Sequence, residues 1–297
     1  MGMKTKAPTL RQFQARFSTE ESCLDHLFQV RYGNAFDCPG CGREAKFSRV
    51  KARRSYQCQW CAYQVYPTAG TPFDRTRTPL RDWFFVMFQF CSSRNGVAAK
   101  EVERQLGVTY KTAWRMCHMI REYMGKVDGD DRIGGLGRTV QIDETFVGGY
   151  QSVPDKLEAG ASNKTLVFGM LEEGGDVVTQ VVPDRRSGTL LPIIRQTVTK
   201  GAKVSTDEHL AYGGLGTMGY VHNSVNHSLD QYVCSKSGAT VNAIEGFWSQ
   251  LKRSINGTHI HVSGKHLPKY LGEHEYRWNM RREPHLMLDR LLFAFSR

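Results

Sequence analysis

Three acidic residues, Asp143, Asp207 and Glu245, are of types and in positions that suit binding of divalent metal ions. Asp143 ends the alternating stretch 139–143, and Asp207 ends a second alternating stretch, 203–207. Glu245 lies near the start of a run, 242–255, in which apolar residues recur at helical period. Two carboxylates at strand ends and one on a later helix can hold two divalent cations for phosphoryl transfer.

Each acid also has a simpler interpretation. Glu144 and Glu208 directly follow the two aspartates, so either neighbour could be the ligand instead. An Asp at a strand end is often a turn residue, and a Glu in the first turn of a helix is favoured by the helix dipole. The combination of all three acids in this order favours the metal-binding interpretation.

The helical run places a basic residue on the same stripe as its acid. Asn242, Glu245, Ser249 and Lys252 share one stripe, and the apolar residues form another. Lys252 follows Glu245 by seven residues, which is about 10 Å along a helix axis. We therefore expect Glu245 to reach a metal while Lys252 contacts a DNA phosphate. Asn242, one turn before Glu245, is the nearest rival or partner for the role of third ligand.

Four cysteines have the spacing of a zinc ribbon. Cys38 and Cys41 form one CxxC pair, and Cys58 and Cys61 form a second pair after 16 intervening residues. Two such pairs offer four thiolates to one tetrahedral Zn²⁺. The ion would stabilise a module that is too small to fold well on its own core.

Two basic or polar surfaces are predicted to contact DNA. One is the hairpin between the CxxC pairs, with four cations: Arg49, Lys51, Arg53 and Arg54. The other is a helix-turn-helix pattern over 97–125, with Gly107 in the turn and Thr109 capping the second helix. On that helix four residues would face a groove, namely Tyr110, Lys111, Thr112 and Arg115, while Trp114, Cys117, Ile120 and Met124 would pack inward. A solvated hairpin tip and plain helical packing are the alternatives.

Composition agrees with a polyanionic partner. The chain has 297 residues, a formal net charge of +11 and 40% hydrophobic residues, enough for an ordinary core. Residues 1–134 carry 22 Lys and Arg against 13 Asp and Glu, whereas residues 135–297 carry 18 against 16. No stretch is long and apolar enough to span a bilayer, and the N-terminus lacks a signal-peptide pattern. We therefore expect no membrane partner, a cytoplasmic location and reduced cysteines.

The order of predicted elements indicates an α/β fold. Strands are expected at 139–143, 165–171, 177–182 and 202–207, with a helix over 187–199 and the acidic helix after them. This order is that of a ribonuclease-H-like core, a mixed sheet with flanking helices. A capping box at Ser18 and Glu21 predicts a helix that ends at Gly33. We divide the chain into a helical segment (1–33), a zinc ribbon (34–72), a helix-turn-helix domain (73–128) and a catalytic domain (135–297).

Several longer motifs resemble one known family. The chain is similar to bacterial insertion-sequence DDE transposases with an N-terminal zinc ribbon, the ISXO-type group related to Merlin transposases. The matching segments extend over nearly the whole chain: 38–42, 68–73, 79–80, 83–84, 111–114, 142–149, 206–212, 225–228, 242–253 and 276–281. Some members of this group have Asn where others have the third acid, which is why Asn242 matters.

The resemblance implies a function and a set of site residues. It implies an enzyme with Asp143, Asp207 and Glu245 as the catalytic triad, and Mg²⁺ or Mn²⁺ as cofactor. Lys252 and Arg253 would contact DNA, and His227 would orient DNA or a ligand. The partners would be double-stranded DNA, as terminal inverted repeats and target, and further copies of the chain, as a dimer or larger assembly at the nucleoid. The alternatives are an inactive transposase-derived regulator and a ribonuclease-H-like structure-specific nuclease.

Overall fold

The computed structural model describes residues 6–128, 132–148, 164–207, 210–225 and 240–296. The chain divides into two compact units. The first consists of Met1–Ser93, Ala99–Tyr123 and Arg282–Arg297, and the second of Arg94–Ala98 and Met124–Arg281. The domain limits drawn from the sequence stay predictions.

The elements follow one another in an order close to the expected one. Those of the N-terminal part are α1 (Leu10–Arg16), α2 (Glu20–Tyr32), β1 (Phe36–Asp37), β2 (Glu44–Ala45), β3 (Phe47–Val50), β4 (Ser55–Cys58), β5 (Gln64–Val65), α3 (Leu80–Ser92), α4 (Ala99–Leu106) and α5 (Tyr110–Asp128). Those that follow are β6 (Ile133–Gly134), β7 (Thr139–Val147), β8 (Thr165–Glu172), β9 (Val177–Val181), α6 (Ser187–Thr197), β10 (Val198–Thr199), β11 (Lys203–Asp207), β12 (Val221–Val225), α7 (Asn242–Ser254), α8 (Leu267–Asn279) and α9 (Met287–Phe295). Within the described residues, three short 3₁₀ turns and one π-helical turn, Ile255–His259, connect some of them. No helix in the described ranges has the length and apolar character needed to cross a membrane.

The first unit shows one correction to the sequence analysis. The capping box of α2 is formed by Thr19 and Ser22, not by Ser18 and Glu21. Thr19 is the last extended residue before the helix, and its hydroxyl accepts the amide hydrogen of Ser22 at 3.1 Å, so Ser18 lies one residue outside the cap. The helix ends at Gly33 as predicted, with a positive φ of 69° that favours glycine.

Aromatic packing forms the core of the first unit. Helix α3 buries the predicted face, including Leu80, Trp83 and Phe84. The C-terminal helix α9 joins this core, because the ring of Phe295 lies 5.4 Å from that of Phe73 and 6.3 Å from that of Trp83. The last helix of the chain therefore closes the unit in which the first helices lie.

The second unit is built on a five-stranded mixed sheet with strand order β12-β11-β7-β8-β9. β7 pairs antiparallel with β8, which pairs antiparallel with β9, whereas β11 lies parallel to both β7 and β12. The predicted strands at 165–171, 177–182 and 202–207 are confirmed within two residues, and so are the starts of α6 and α7. β12 was not predicted.

Strand β7 is longer than the sequence analysis predicted. It continues to Val147 because β8 pairs with it as far as Val147 opposite Thr165. Asp143 therefore lies in the middle of a strand and not at its end, whereas Asp207 does end β11 as predicted.

Both faces of the sheet are covered. One face, with Val140, Ile142 and Phe168, packs on α6, and the other, with Val167 and Leu171, packs on α7 and α8. The edge strand β9 is held by α8, whose Asn279 side chain accepts from the amide of Val177 at 2.8 Å and donates to its carbonyl at 3.0 Å. This contact protects the strand edge from pairing with another chain.

Candidate catalytic and zinc sites

Three carboxylates lie together in the second unit. Asp143, Glu144 and Asp207 each place an oxygen within 4.8 Å of the others. Two of them are the metal ligands predicted from the sequence, and Glu144 is the predicted alternative. Oxygen ligands at this separation are what Mg²⁺ and Mn²⁺ prefer, so the residues present fit a divalent cation site.

The parallel pairing of β7 and β11 brings the two aspartates together. The paired register runs from Thr139 opposite Lys203 to Gln141 opposite Ser205. Asp143 and Asp207 each follow two residues later, so both project on the face of the sheet that carries α7. The sheet thus supplies a fixed distance between two carboxylates that are 64 positions apart in the sequence.

Gln141 fixes the N-terminus of α7 against β7. Its side-chain oxygen accepts the amide hydrogens of Ala243 at 2.9 Å and Ile244 at 3.1 Å. Its side-chain nitrogen donates to Glu173 at 2.9 Å. These bonds satisfy two of the amides that a helix start leaves without intrahelical partners. This role of Gln141 was not predicted, because its own segment gives no sign of a partner more than 100 positions away.

Trp248 connects α7 directly to the carboxylates. Its indole nitrogen donates to Oδ2 of Asp143 at 3.0 Å. The ring lies over β8, where a Cβ on Gly169 would come within 2.5 Å of it. Gly169 is the residue opposite Asp143 in the ladder, so a larger side chain there would displace the ring. The helical pattern of 242–255 predicts only a packing role for Trp248.

The local electrostatics favour a bound cation. The pKa of Asp143 is raised from its ordinary 3.8 to about 6, chiefly by burial and also by the negative charges of Glu144 and Asp207, while the Trp248 hydrogen bond opposes the shift. A divalent cation would relieve the repulsion between these groups.

Glu144 is held from the other side of the sheet. The hydroxyl of Tyr212, which lies in the core beneath α6, donates to it at 2.7 Å. Burial and the nearby Glu144 raise the pKa of Tyr212, so that its hydroxyl stays protonated as a donor. Glu144 is therefore an anchored carboxylate.

Glu245 is not part of the described carboxylate cluster. It lies in the first turn of α7 and is exposed, like Asn242, Lys252 and Arg253 on the same helix. Trp248, three residues later, touches Asp143, and residues three apart share a helix face about 5 Å apart along the axis. The predicted apolar face of α7 is confirmed as buried. The proposed role for His227 falls outside the described residues, as does the alternative ligand Glu208.

The four cysteines of the first unit converge as predicted. The sulfur atoms of Cys38, Cys41, Cys58 and Cys61 lie within 4.8 Å of one another. The amides of Gly40 and Trp60 each point at a sulfur, of Cys38 and Cys58 respectively, at 3.4 Å. Amide hydrogens directed at sulfur suit thiolates, so the residues present fit a four-thiolate Zn²⁺ site.

The basic run occupies the hairpin turn between β3 and β4. Lys51 and Arg53 are exposed at its tip. Arg49 and Arg54 are only partly exposed, and they pair with Glu21 at 3.1 Å and Glu20 at 2.7 Å. The tip therefore offers two exposed cations, with two more held beside it.

The predicted turn between α4 and α5 is present. Gly107 has a positive φ of 67°, and the hydroxyl of Thr109 accepts the amide hydrogen of Thr112 at 3.3 Å, as a cap. Tyr110, Lys111 and Arg115 are exposed and Thr112 is partly exposed; Cys117, Ile120 and Met124 are buried as predicted. Trp114 is the exception: it is 38% exposed, and its ring stacks on that of the buried His118 at a centroid distance of 3.8 Å.

Comparison with known proteins matches two parts of the chain to family models. Residues 135–279 match the family model of the ISXO2-like transposase domain, and residues 18–64 match that of the transposase zinc-ribbon domain. An uncharacterized protein in transposable element ISH50 of Halobacterium salinarum is 23% identical over 286 residues, which cover 90% of this chain and 94% of that protein. An uncharacterized transposase-like protein of Haemophilus influenzae is 36% identical over 106 residues, which cover 35% of this chain and 80% of that protein. The chain therefore belongs to the ISXO2-like transposase family.

Proposed function

We propose that this protein is an active DNA transposase. It binds terminal inverted repeats, cleaves at the transposon ends and joins the resulting 3′-hydroxyl to target DNA. Asp143, Asp207 and Glu245 are its catalytic carboxylates. The observation that carries the proposal is the convergence of two aspartates from separate parallel strands beside a docked acidic helix.

The architecture of the second unit supports a ribonuclease-H-like core. Three antiparallel strands are followed in the sheet by two parallel ones, and helices cover both faces. This arrangement agrees with the order expected from the sequence. The two faces of the sheet differ in role. α6 packs on one face as part of the hydrophobic core, and α7, on the opposite face, carries Glu245.

The carboxylates suit Mg²⁺ or Mn²⁺, and two such ions, when bound, would activate the attacking oxygen and stabilise the leaving one. The side chains of the protein have their own tasks. The Trp248 hydrogen bond fixes the rotation of the Asp143 carboxylate. Lys252 and Arg253 lie exposed two turns along from Glu245, where they can bind phosphates on either side of the cleavage point.

Residues of the first unit provide the proposed contacts to double-stranded DNA. Lys51 and Arg53 at the hairpin tip are available to phosphates, with Arg49 and Arg54 beside them. On α5 the exposed residues are Tyr110, Lys111 and Arg115, with Thr112 next to them. We propose that these two surfaces bind the inverted repeats, and that a homodimer or larger assembly pairs two ends.

The test is cleavage of DNA that carries the ends of the element, with Mg²⁺ or Mn²⁺. We expect the parent protein to cut and join, and Asp143→Asn, Asp207→Asn and Glu245→Gln to lose both activities while still binding the DNA. Glu283→Gln is a matched control, because Glu283 is a half-exposed acid in a surface pair with Arg290 and should retain full activity.

Each alternative outcome would indicate a different function or a different third ligand. Specific binding without cleavage by the parent would indicate a transposase-derived regulator. Cleavage without joining would indicate a nuclease. Normal activity of Glu245→Gln together with an inactive Glu144→Gln would refute Glu245 as the third ligand and assign that role to Glu144.

A further inference from the structure

A concave groove opens beyond the carboxylates, on the α6 side of the sheet. It has a volume of about 880 Å³ and is lined by the ends of β7 and β9, the start of β8, the start of α6 and the turn after β11. Phe146 comes two residues after Glu144 on the α6 face of β7, and the carboxylate of Glu144 lies within 4.8 Å of those of the two aspartates. Two residues of a strand span about 7 Å, so the groove begins close to the carboxylate cluster, although the two aspartates project on the other face of the sheet.

The groove is basic. Of its described lining residues, three are cations, Lys164, Arg185 and Arg186, and one is an acid, Asp184. The acid is already engaged, because its Oδ1 accepts the amide hydrogen of Arg186 at 2.9 Å and the hydroxyl hydrogen of Thr189 at 2.7 Å. The net charge of the lining therefore favours an anion.

One cation has an unsatisfied donor. Within the described part of the chain, the buried Nε of Arg185 has no hydrogen-bond partner. A buried N–H without an acceptor is costly, and a phosphate oxygen would supply that acceptor. The observation is independent of the charge balance and indicates the same class of ligand.

The groove also has an aromatic surface. Phe146 is 46% exposed although the guanidinium of Arg185 lies over its ring at 5.1 Å, and Leu210 is 95% exposed. Aromatic rings beside cations are the combination with which proteins bind single-stranded nucleic acid, the bases stacking and the phosphates pairing. A base inside a regular duplex cannot present its face in this way.

We propose that this groove binds an unstacked nucleotide of the DNA strand next to the scissile phosphate. Its base lies against Phe146 and its phosphate is bound by Arg185 and Arg186. The inference rests on the proposed transposase function, because it assigns a part of the same substrate to a second site in the catalytic unit.

The test compares two fluorescein-labelled probes, oligo(dT) and the matching dA·dT duplex, on the full chain without added Mg²⁺ or Mn²⁺. Phe146→Ala should raise the Kd for oligo(dT) about 5-fold or more, and the Kd for the duplex by less. Arg185→Gln should weaken binding of both probes and reduce the salt dependence by about one phosphate contact. Lys203→Gln, the matched control, removes the same charge at the opposite end of β11 and should leave both values unchanged.

Photocrosslinking locates the base directly. Oligo(dT) that contains 5-iododeoxyuridine should crosslink to Phe146, as read by mass spectrometry.

Parent-like oligo(dT) binding by Phe146→Ala, or equal losses of binding in Arg185→Gln and Lys203→Gln, would overturn the proposal. So would loss of self-association in Phe146→Ala with DNA binding intact, because the groove would then contact a second copy. Cleavage of end-containing DNA by the parent is measured separately. Failure of the groove proposal and failure of the transposase assignment therefore give different results.

Discussion

Replacing Asp143 by Asn should stabilise the protein in the absence of added divalent cations. The pKa of Asp143 is raised from 3.8 to about 6, chiefly by burial. Below about pH 3 the carboxyl is largely protonated in both the folded and the unfolded chain and makes little difference to stability. As the pH rises towards 6, the unfolded chain releases its proton first, which favours unfolding.

The magnitude follows from the two pKa values. Each pH unit between them costs about 1.4 kcal/mol of folding free energy, so the full cost above pH 6 is about 3 kcal/mol. Asn has nearly the same shape, keeps an acceptor for the Trp248 indole and carries no charge. The variant should therefore unfold with a free energy larger by up to about 3 kcal/mol at pH 8, and by only about 0.5 kcal/mol at pH 4.

The assay is urea unfolding at both pH values, with unfolding monitored by hydrogen exchange of peptides from β7, β8 and β9. Asp184→Asn is a control of opposite sign, because hydrogen bonds from the Arg186 amide and the Thr189 hydroxyl lower the pKa of Asp184. That variant should lose stability at pH 8. Adding Mg²⁺ should stabilise the parent more than it stabilises Asp143→Asn, so the difference in unfolding free energy between the two proteins should become smaller. An equal gain at pH 4 and pH 8, or no gain at pH 8, would refute the reasoning.

Three further substitutions test the supports of the two sites. Gly169→Ala should displace the Trp248 ring and reduce cleavage with little change in DNA affinity, measured by cleavage rates and anisotropy; parent-like cleavage would contradict this. Gln141→Leu leaves two amides of the first turn of α7 without their acceptor and should cost about 2–4 kcal/mol, visible as faster hydrogen exchange in that helix. Cys58→Ser should lose bound zinc, measured by elemental analysis, and weaken DNA binding; unchanged zinc content would refute the four-thiolate site.

The elements predicted best are those with a strong local pattern. The two CxxC pairs specify their own knuckles, so the convergence of four sulfurs was predictable. Short strand-like patterns located β8, β9 and β11, and helical periodicity located α7 and its buried stripe. In each case the chemical reason lies within one segment, and a single sequence contains all of it.

The features missed depend on residues far apart in the chain. β7 continues to Val147 because β8 offers it a partner. β12 has a polar sequence, and its pairing with β11 makes it a strand. Gln141 and Trp248 act across more than 100 positions, by capping a helix and by contacting a carboxylate. Nothing in their own segments distinguishes these roles from ordinary packing.

The choice between Glu144 and Glu245 as third ligand depends on how each is held. Glu144 is buried, and its carboxylate accepts a hydrogen bond from Tyr212 in the core, so its position is already determined without DNA. Glu245 has an exposed side chain, but its backbone is fixed on both sides, by the Gln141 contacts just before it and the Trp248 contact one turn after it. A side chain on a fixed backbone reorients through rotation about its own bonds alone, so Glu245 can turn to a metal when DNA brings charge to the site. Glu144 can keep its bond to Tyr212 through Oε1 and still offer its second oxygen to a metal. Glu144 is therefore a preformed part of the site, and Glu245 is the proposed ligand that completes it when DNA binds.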